Sequence, residues 1–393
     1  MKKFTRWIEI DLDAIVHNFK EVKKLVSSQT KVLAVVKSDA YGHGAVEVAR
    51  VLEKTGADMF AVTTVEEGVE LVNNGIGLPV LILAPLLPFQ IETVLDYRLI
   101  PTLDNQEVLK ELNQRAGKKG VKALFHLKVE TGMGRAGLMP QEVISFIREL
   151  ENCSFVEMNG IYSHLATAML KNKSYARKQF AIFKGLLEEI KNSGSKMGKA
   201  HLANSAALID LPETHLDMVR VGTLLYGQYP SQYVSRKLNL KDPWQVKAVI
   251  ISVKKLPPGS SVGYGREYVT KKEIEVGVVP IGYAEGFGLL PHTRPVKPYE
   301  LFKSISRALA NMIGVVPLNY VTKDGNKLPV VGRIGMQLCM IDITGCNIKA
   351  GDEVVLSMRR TTAGIRLPRI YFKNGDTYAV RGISQTISYA KPE

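Results

Sequence analysis

The chain has 393 residues, 46% of them hydrophobic and 23% charged, with a formal net charge of +14. That length exceeds what one compact core usually holds, so two domains are expected, while the absence of any apolar run of transmembrane length, of an RNP or zinc-finger signature and of a long Lys/Arg block argues against membrane and nucleic-acid partners. Three widely spaced cysteines (Cys153, Cys339 and Cys346) are odd in number, which speaks against a disulfide framework and for a reducing cytoplasm, and no Cys/His cluster has metal-ligand spacing.

The opening "MKKFTRWIEIDLDAI" is basic at first but lacks the unbroken apolar stretch of a signal peptide. From about residue 30 to 227, short apolar segments alternate with amphipathic ones. The strand candidates are "KVLAVV", "MFAVT", "VLILA", "LIPTL", "ALFHLKV", "MNGIYSHL", "AHLANS" and "DMVRVG". Between them lie helical patterns such as "GAVEVARVLEKTG", "TVEEGVELVNNG", "NQEVLKELNQRAG" and "SYARKQFAIFKGLLEEIKNSG". Eight strands with helical crossovers predict an α/β fold, a (β/α)₈ TIM barrel. A doubly wound sheet is the alternative, but no G-x-G-x-x-G follows the first strand.

After Gly227 the texture changes. "WQVKAVIISVKKL", "EIEVGVVPIGYAEG", "LPVVGRIGMQLCMIDIT" and "DEVVLS" are rich in β-branched residues and separated by Pro/Gly turns, which predicts a C-terminal β-rich domain. One stretch interrupts it: "VKPYELFKSISRALANMIGVV" carries a helical period and reads as an insertion. The domain boundaries follow as 9–237 for the barrel and 238–393 for the β-rich domain.

Active sites of such barrels lie at the C-terminal ends of the strands. Lys37 occupies that place after the first strand, its stem buried and its amine meeting a cavity, as Schiff-base chemistry requires. Taken alone, it also fits a snorkelling surface lysine. Strand five, however, leads into "KVETGMGRAG" with Arg135, and strand six ends at His164. Strand seven offers Asn204 and Ser205, and strand eight Arg220 followed by Gly222 and Thr223. Each has a bland reading as a satisfied core residue, a helix cap or a surface charge. Together they gather Lys, His, Ser and two Arg at one mouth. Ser205 and the Gly222–Thr223 amides are suited to hold a phosphate, in the region where barrels commonly bind one.

"AVVKSDAYGHG", "KVETGMGRAG", "HLANSAA", "RVGTLLYG", "VGYGREY", "IGYAEGF" and "GRIGMQ" resemble, in order, the motifs of the alanine racemase family of fold-type III pyridoxal-phosphate enzymes. The resemblance implies that "RWIEIDL" (and so residues 1–8) joins the β-rich domain, and that a homodimer shares its active sites. It further implies an isomerase that interconverts L- and D-alanine with pyridoxal 5'-phosphate. Lys37 would bind the cofactor covalently and act as base on one face of the substrate Cα. Tyr264 of the partner subunit would be the base on the other. Tyr41, Ser205, Gly222 and Thr223 would hold the phosphate, with Asn204 beside them. Arg220 would face the pyridine nitrogen, and His164 would join it in supporting the partner's Tyr264. Arg135 and the Met336 backbone would hold the substrate carboxylate. Lys128 matches a lysine that some members carbamylate.

The chain also departs from the family pattern. Gln337 stands for an acidic residue, Met169 for another, and Ile365 for a tyrosine that helps hold the phosphate. An arginine is replaced around Gly288–Leu289, and the connection between Tyr283 and Met336, including 289–326, is long. Drift within an alanine racemase is one explanation. A wider, less polar entry for a larger or different amino acid is another, and such a site discriminates added methylenes by only about 1–3 kcal/mol each. A fold-type III decarboxylase fits less well, because its class sets an acidic residue against the ring nitrogen where this chain has Arg220. A non-catalytic pyridoxal-phosphate-binding relative would lack the second domain and Tyr264.

Overall fold

The computed structural model describes residues 4–289, 319–364, 366–384 and 387–389, together with 301–302, 304–306 and 309. Ile365 and most of the helical stretch expected over 296–316 lie outside these residues. The chain divides into two compact units, Leu12–Pro243 and Met1–Asp11 with Trp244–Glu393.

The first strand, β1 (Arg6–Asp11), belongs to the C-terminal unit. It lies antiparallel to β10 (Trp244–Val249) on one side and parallel to Arg369–Lys373 on the other. Its Trp7, Ile8 and Ile10 are buried, so the period-2 pattern of "RWIEID" is broken by a two-sided core position at Trp7.

The N-terminal unit is a closed barrel of eight parallel strands in sequence order. These are β2 (Lys31–Val35), β3 (Met59–Val62), β4 (Val80–Pro85), β5 (Ile100–Leu103), β6 (Ala123–Lys128), β7 (Val156–Tyr162), β8 (Lys199–His201) and β9 (Met218–Val221). β9 closes on β2 in the register Lys31↔Met218 to Ala34↔Val221. Both faces of these strands are covered, which is why they read as continuous apolar runs. Two strand expectations shorten. "MNGIYSHL" stops at Tyr162, two residues before His164, and "AHLANS" stops at His201, because Asn204 already caps the following helix.

The barrel interior is divided. One side is apolar: Leu33, Val35, Met59, Ala61, Leu81, Ile100 and Met218 form a buried cluster. The other side, contributed by β5 to β9, is polar: Thr102, His126, Lys128, His201 and Arg220 are all buried with Tyr162. Buried polar groups need partners, and hydrogen bonds join Thr102 to Tyr162, His126 to His201 and His201 to Arg220, with Lys128 over the Tyr162 ring.

In the C-terminal unit the described residues form an eleven-stranded sheet and a separate two-stranded hairpin. "WQVKAVIISVKKL" is two strands rather than one. Trp244–Val249 pairs with Glu353–Leu356, whereas Ser252–Leu256 pairs with Ile274–Val279, so the chain changes neighbours at Ile250–Ile251. The hairpin of Ser261–Val262 and Tyr268–Val269 carries Tyr264 at its tip. No helix among the described residues is long and apolar enough to cross a membrane.

Candidate functional site

Lys37 leaves β2 half-buried, and the backbone that follows it is wound left-handed. Ser38, Asp39, Ala40 and Tyr41 have φ of 52°, 54°, 52° and 55°. L-residues with side chains avoid this conformation, so neighbours must hold it. Glu67 accepts a hydrogen bond from the Ser38 amide at 2.5 Å, while its other oxygen takes the amides of Thr63 and Thr64. Asp39 Oδ1 accepts from Ala45 N, and the Tyr41 and His43 rings pack on Tyr226, whose hydroxyl donates to Val35 O. Burial lowers the Lys37 amine, nearby Arg135 lowers it further, and Glu67 opposes them. The net effect favours a neutral nucleophile.

Lys37, Tyr41, Arg135, His164, Asn204, Ser205, Arg220, Gly222 and Thr223 all line one cavity of about 610 Å³ in the barrel unit, and Lys128 lines it with them. Tyr264 and Met336 belong to the other unit, where they are 74% and 60% exposed.

At one end of this cavity the Gly222 amide donates to Ser205 Oγ at 3.0 Å. The buried Thr223 Oγ1 has no hydrogen-bond partner among the described residues. A Cβ at residue 222 would stand 2.5 Å from the Tyr41 hydroxyl oxygen, so only glycine leaves room for it. Burial pushes that phenol up to about 12, so it stays protonated and can donate. The hydroxyls of Tyr41, Ser205 and Thr223 thus line one cavity beside Gly222, and the donor set fits a phosphate. Asn204 also lines the cavity, but its Oδ1 is engaged as the helix cap, accepting from Ala206 N and Ala207 N.

Arg220 is buried on β9. Its Nη1 donates to His201 Nδ1 and His201 O at 3.0 Å each, and its Nη2 to Ser163 O (2.7 Å), Leu202 O (3.1 Å) and His164 Nδ1 (3.3 Å). None of these partners is a carboxylate. Burial pushes the guanidinium down to about 10, so it keeps its proton at neutrality. His164 is held well below the usual imidazole range, first by burial and then by Arg220. Lys128 lies 4.6 Å over the Tyr162 ring, and burial followed by Arg220 and Arg135 pushes it down to about 7.

Arg135 is presented by a Gly-rich loop gathered on one carboxylate. Glu130 accepts the amides of Gly132 and Met133 with one oxygen, and those of Gly134 (2.9 Å) and Arg135 (3.2 Å) with the other. In the C-terminal unit, Gln337 Nε2 donates to Glu285 Oε1 at 3.4 Å, and the same oxygen pairs with Arg6 at 3.0 Å. A carboxylate at 337 would meet Glu285 as a like charge; the amide meets it as a donor.

Sequence reasoning missed Glu67, Glu130, His126, Tyr162 and His201. The two glutamates carry no signal beyond lying near turn residues. The two histidines do: each is a polar residue within an apolar strand, in "ALFHLKV" and "AHLANS".

The family model described as alanine racemase, N-terminal domain, matches residues 10–230, and that described as alanine racemase, C-terminal domain, matches residues 244–371. The alanine racemase of Halothermothrix orenii is 37% identical, covering 98% of this chain and 97% of that one. The alanine racemase of Methanococcus maripaludis is also 37% identical, covering 94% and 93%. Among solved structures, alanine racemase from Clostridium difficile 630 superposes with a TM-score of 0.88 at 32% identity, covering 98% of this chain and all of that one. Alanine racemase from Bacillus anthracis with bound L-Ala-P gives 0.83 at 28% identity, covering 96% and 97%. With both of its units matched in order, the chain belongs to the alanine racemase family.

Proposed function

We propose that this protein interconverts L- and D-alanine at the barrel mouth, in a homodimer whose sites take residues from both chains, within the cytoplasm. The reading rests on Arg220, a buried guanidinium with no carboxylate among its hydrogen-bond partners, lining the same cavity as the depressed amine of Lys37. When bound, pyridoxal 5'-phosphate supplies an electron sink for charge left at Cα. Lys37 anchors it, while Tyr41, Ser205, Gly222 and Thr223 hold its phosphate. Arg220 keeps the ring nitrogen unprotonated, since an arginine does not readily give up its proton. That suits proton exchange over deeper electron withdrawal. Arg135 holds the substrate carboxylate.

Inverting a stereocentre takes a base on each face. Lys37 Nζ takes or returns the Cα proton on one face, and the hydroxyl of Tyr264 of the partner subunit does so on the other. Borohydride reduction of the loaded protein traps the cofactor on the Lys37 peptide, and alanine incubated in D₂O gains deuterium at Cα as its optical rotation decays. Carbon dioxide release would instead mark a decarboxylase.

A larger substrate is the second reading. Leu83, Pro85, Met133 and Met169 give the cavity an apolar wall, with Met169 where an acidic residue is usual. A chiral assay across Ala, Ser, Met, Leu, Lys and Arg separates the two. Alanine turnover exceeding the others by orders of magnitude rules the second out.

A further inference from the structure

Behind Arg220 a file of hydrogen bonds crosses the polar half of the barrel. Arg220 Nη1 donates to His201 Nδ1 at 3.0 Å. A guanidinium has donors only, so Nδ1 carries the lone pair and the His201 proton lies on Nε2. That nitrogen is 2.8 Å from His126 Nδ1, which must then accept. The His126 proton is left on Nε2, directed at Asn159 Oδ1, 3.4 Å away. One placement of protons satisfies the whole file.

The surroundings are built for it. Both rings are fully buried. Burial pushes His126 down to about 4 and His201 well below the ordinary imidazole value, so both stay neutral and each has a defined tautomer. Gly160 is the cross-strand partner of His126, and a Cβ there would stand 2.7 Å from the ring. Tyr162 stacks on His201 with centroids 4.7 Å apart and planes 9° from parallel. This fixes the ring plane and leaves the tautomer to the hydrogen bonds.

We infer that His126, held by Asn159, is a positioning residue: it accepts the His201 Nε2 proton and so holds the ring with its Nδ1 lone pair aimed at Arg220. The inference rests on the proposed role of Arg220 toward the cofactor ring. If His201 carried its proton on Nδ1, two donors would face each other between buried groups. The guanidinium would then turn away from its place on β9.

The test uses the holoenzyme with ¹⁵N-labelled histidine, reading the ring nitrogens of His201 by NMR beside kcat and KM for alanine. Wild type shows His201 protonated on Nε2. His126→Leu removes the acceptor; the buried His201 Nε2–H is left without a partner, its resonances move away from their hydrogen-bonded positions, and kcat falls roughly tenfold. His126→Asn places a carbonyl oxygen near the lost Nδ1 and restores both the resonances and most of kcat. Asn159→Ala, at the end of the file, loosens the His126 ring and moves the same resonances in part if His126→Leu fails to fold. The inference is overturned if the His201 Nε2–H resonances are unchanged in His126→Leu and Asn159→Ala, or if those variants turn over alanine at the wild-type rate. The tautomer is read whether or not turnover occurs; failure of the functional reading shows separately, as wild-type protein that takes up no pyridoxal phosphate.

Discussion

The hydroxyl oxygen of Tyr41 and the α-carbon hydrogen of Gly222 occupy space that no larger residue at 222 could share: a Cβ there would lie 2.5 Å from the oxygen. Gly222→Ala should therefore weaken pyridoxal-phosphate binding by about tenfold, since overpacking costs about 1–3 kcal/mol and 1.4 kcal/mol is a factor of ten. Tyr41→Phe added to Gly222→Ala removes the clashing atom and should recover part of the loss. Titration of cofactor absorbance reads both.

Glu130 holds four successive amides that shape the Arg135 loop. Burial raises its carboxyl, but the amide hydrogen bonds outweigh burial and hold it below the ordinary 4.5. A depressed carboxyl contributes stability above its unfolded value, and that contribution fades as pH falls through the lower folded one. The melting-temperature advantage of wild type over Glu130→Gln should thus be full at neutrality and shrink below about 4.5. Losing a charged acceptor should also raise KM for alanine roughly tenfold, with a smaller change in kcat.

Lys128 gives a slope of the same sign in a higher pH window. Its folded value is pushed down to about 7 from 10.5, so between these the unfolded chain binds more protons and stability climbs with pH. Lys128→Met removes this slope. Denaturant melts across the interval should show the Met variant gaining most on wild type near the lower end, with the gain disappearing toward the upper.

Tyr264 is 74% exposed at its hairpin tip. Tyr264→Phe should leave stability within about 0.5 kcal/mol. It should cut Cα exchange from one enantiomer by roughly 10²–10⁴-fold while sparing exchange from the other. Deuterium wash-in started separately from L- and D-alanine measures this. Equal loss from both would remove the tyrosine from its assigned face.

Lys37, His164 and Arg220 were legible because a barrel places its chemistry where strands end, and each follows or closes an apolar run. His126 and His201 gave only a hint, as polar residues within apolar strands, and Tyr162 gave none. Whether a polar residue in a strand points into the barrel depends on closure of all eight strands, which no local pattern encodes. The winding of Ser38–Tyr41 was hidden for another reason. "KSDAYG" offers a glycine only at its end, and the conformation of the four residues before it comes from Glu67 and Tyr226, distant in sequence. The split of "WQVKAVIISVKKL" likewise depends on two different strand neighbours.

The wrong-handed winding after Lys37 is a local cost, separate from what holds the barrel together. Each of its four residues lies in a conformation that costs about 1–2 kcal/mol relative to a right-handed turn, and the barrel strands have no share in that cost. Four such residues in a row are kept in place by contacts made elsewhere in the unit, so the backbone around this lysine stands or falls with a tyrosine and a glutamate and not with the strand that delivers it.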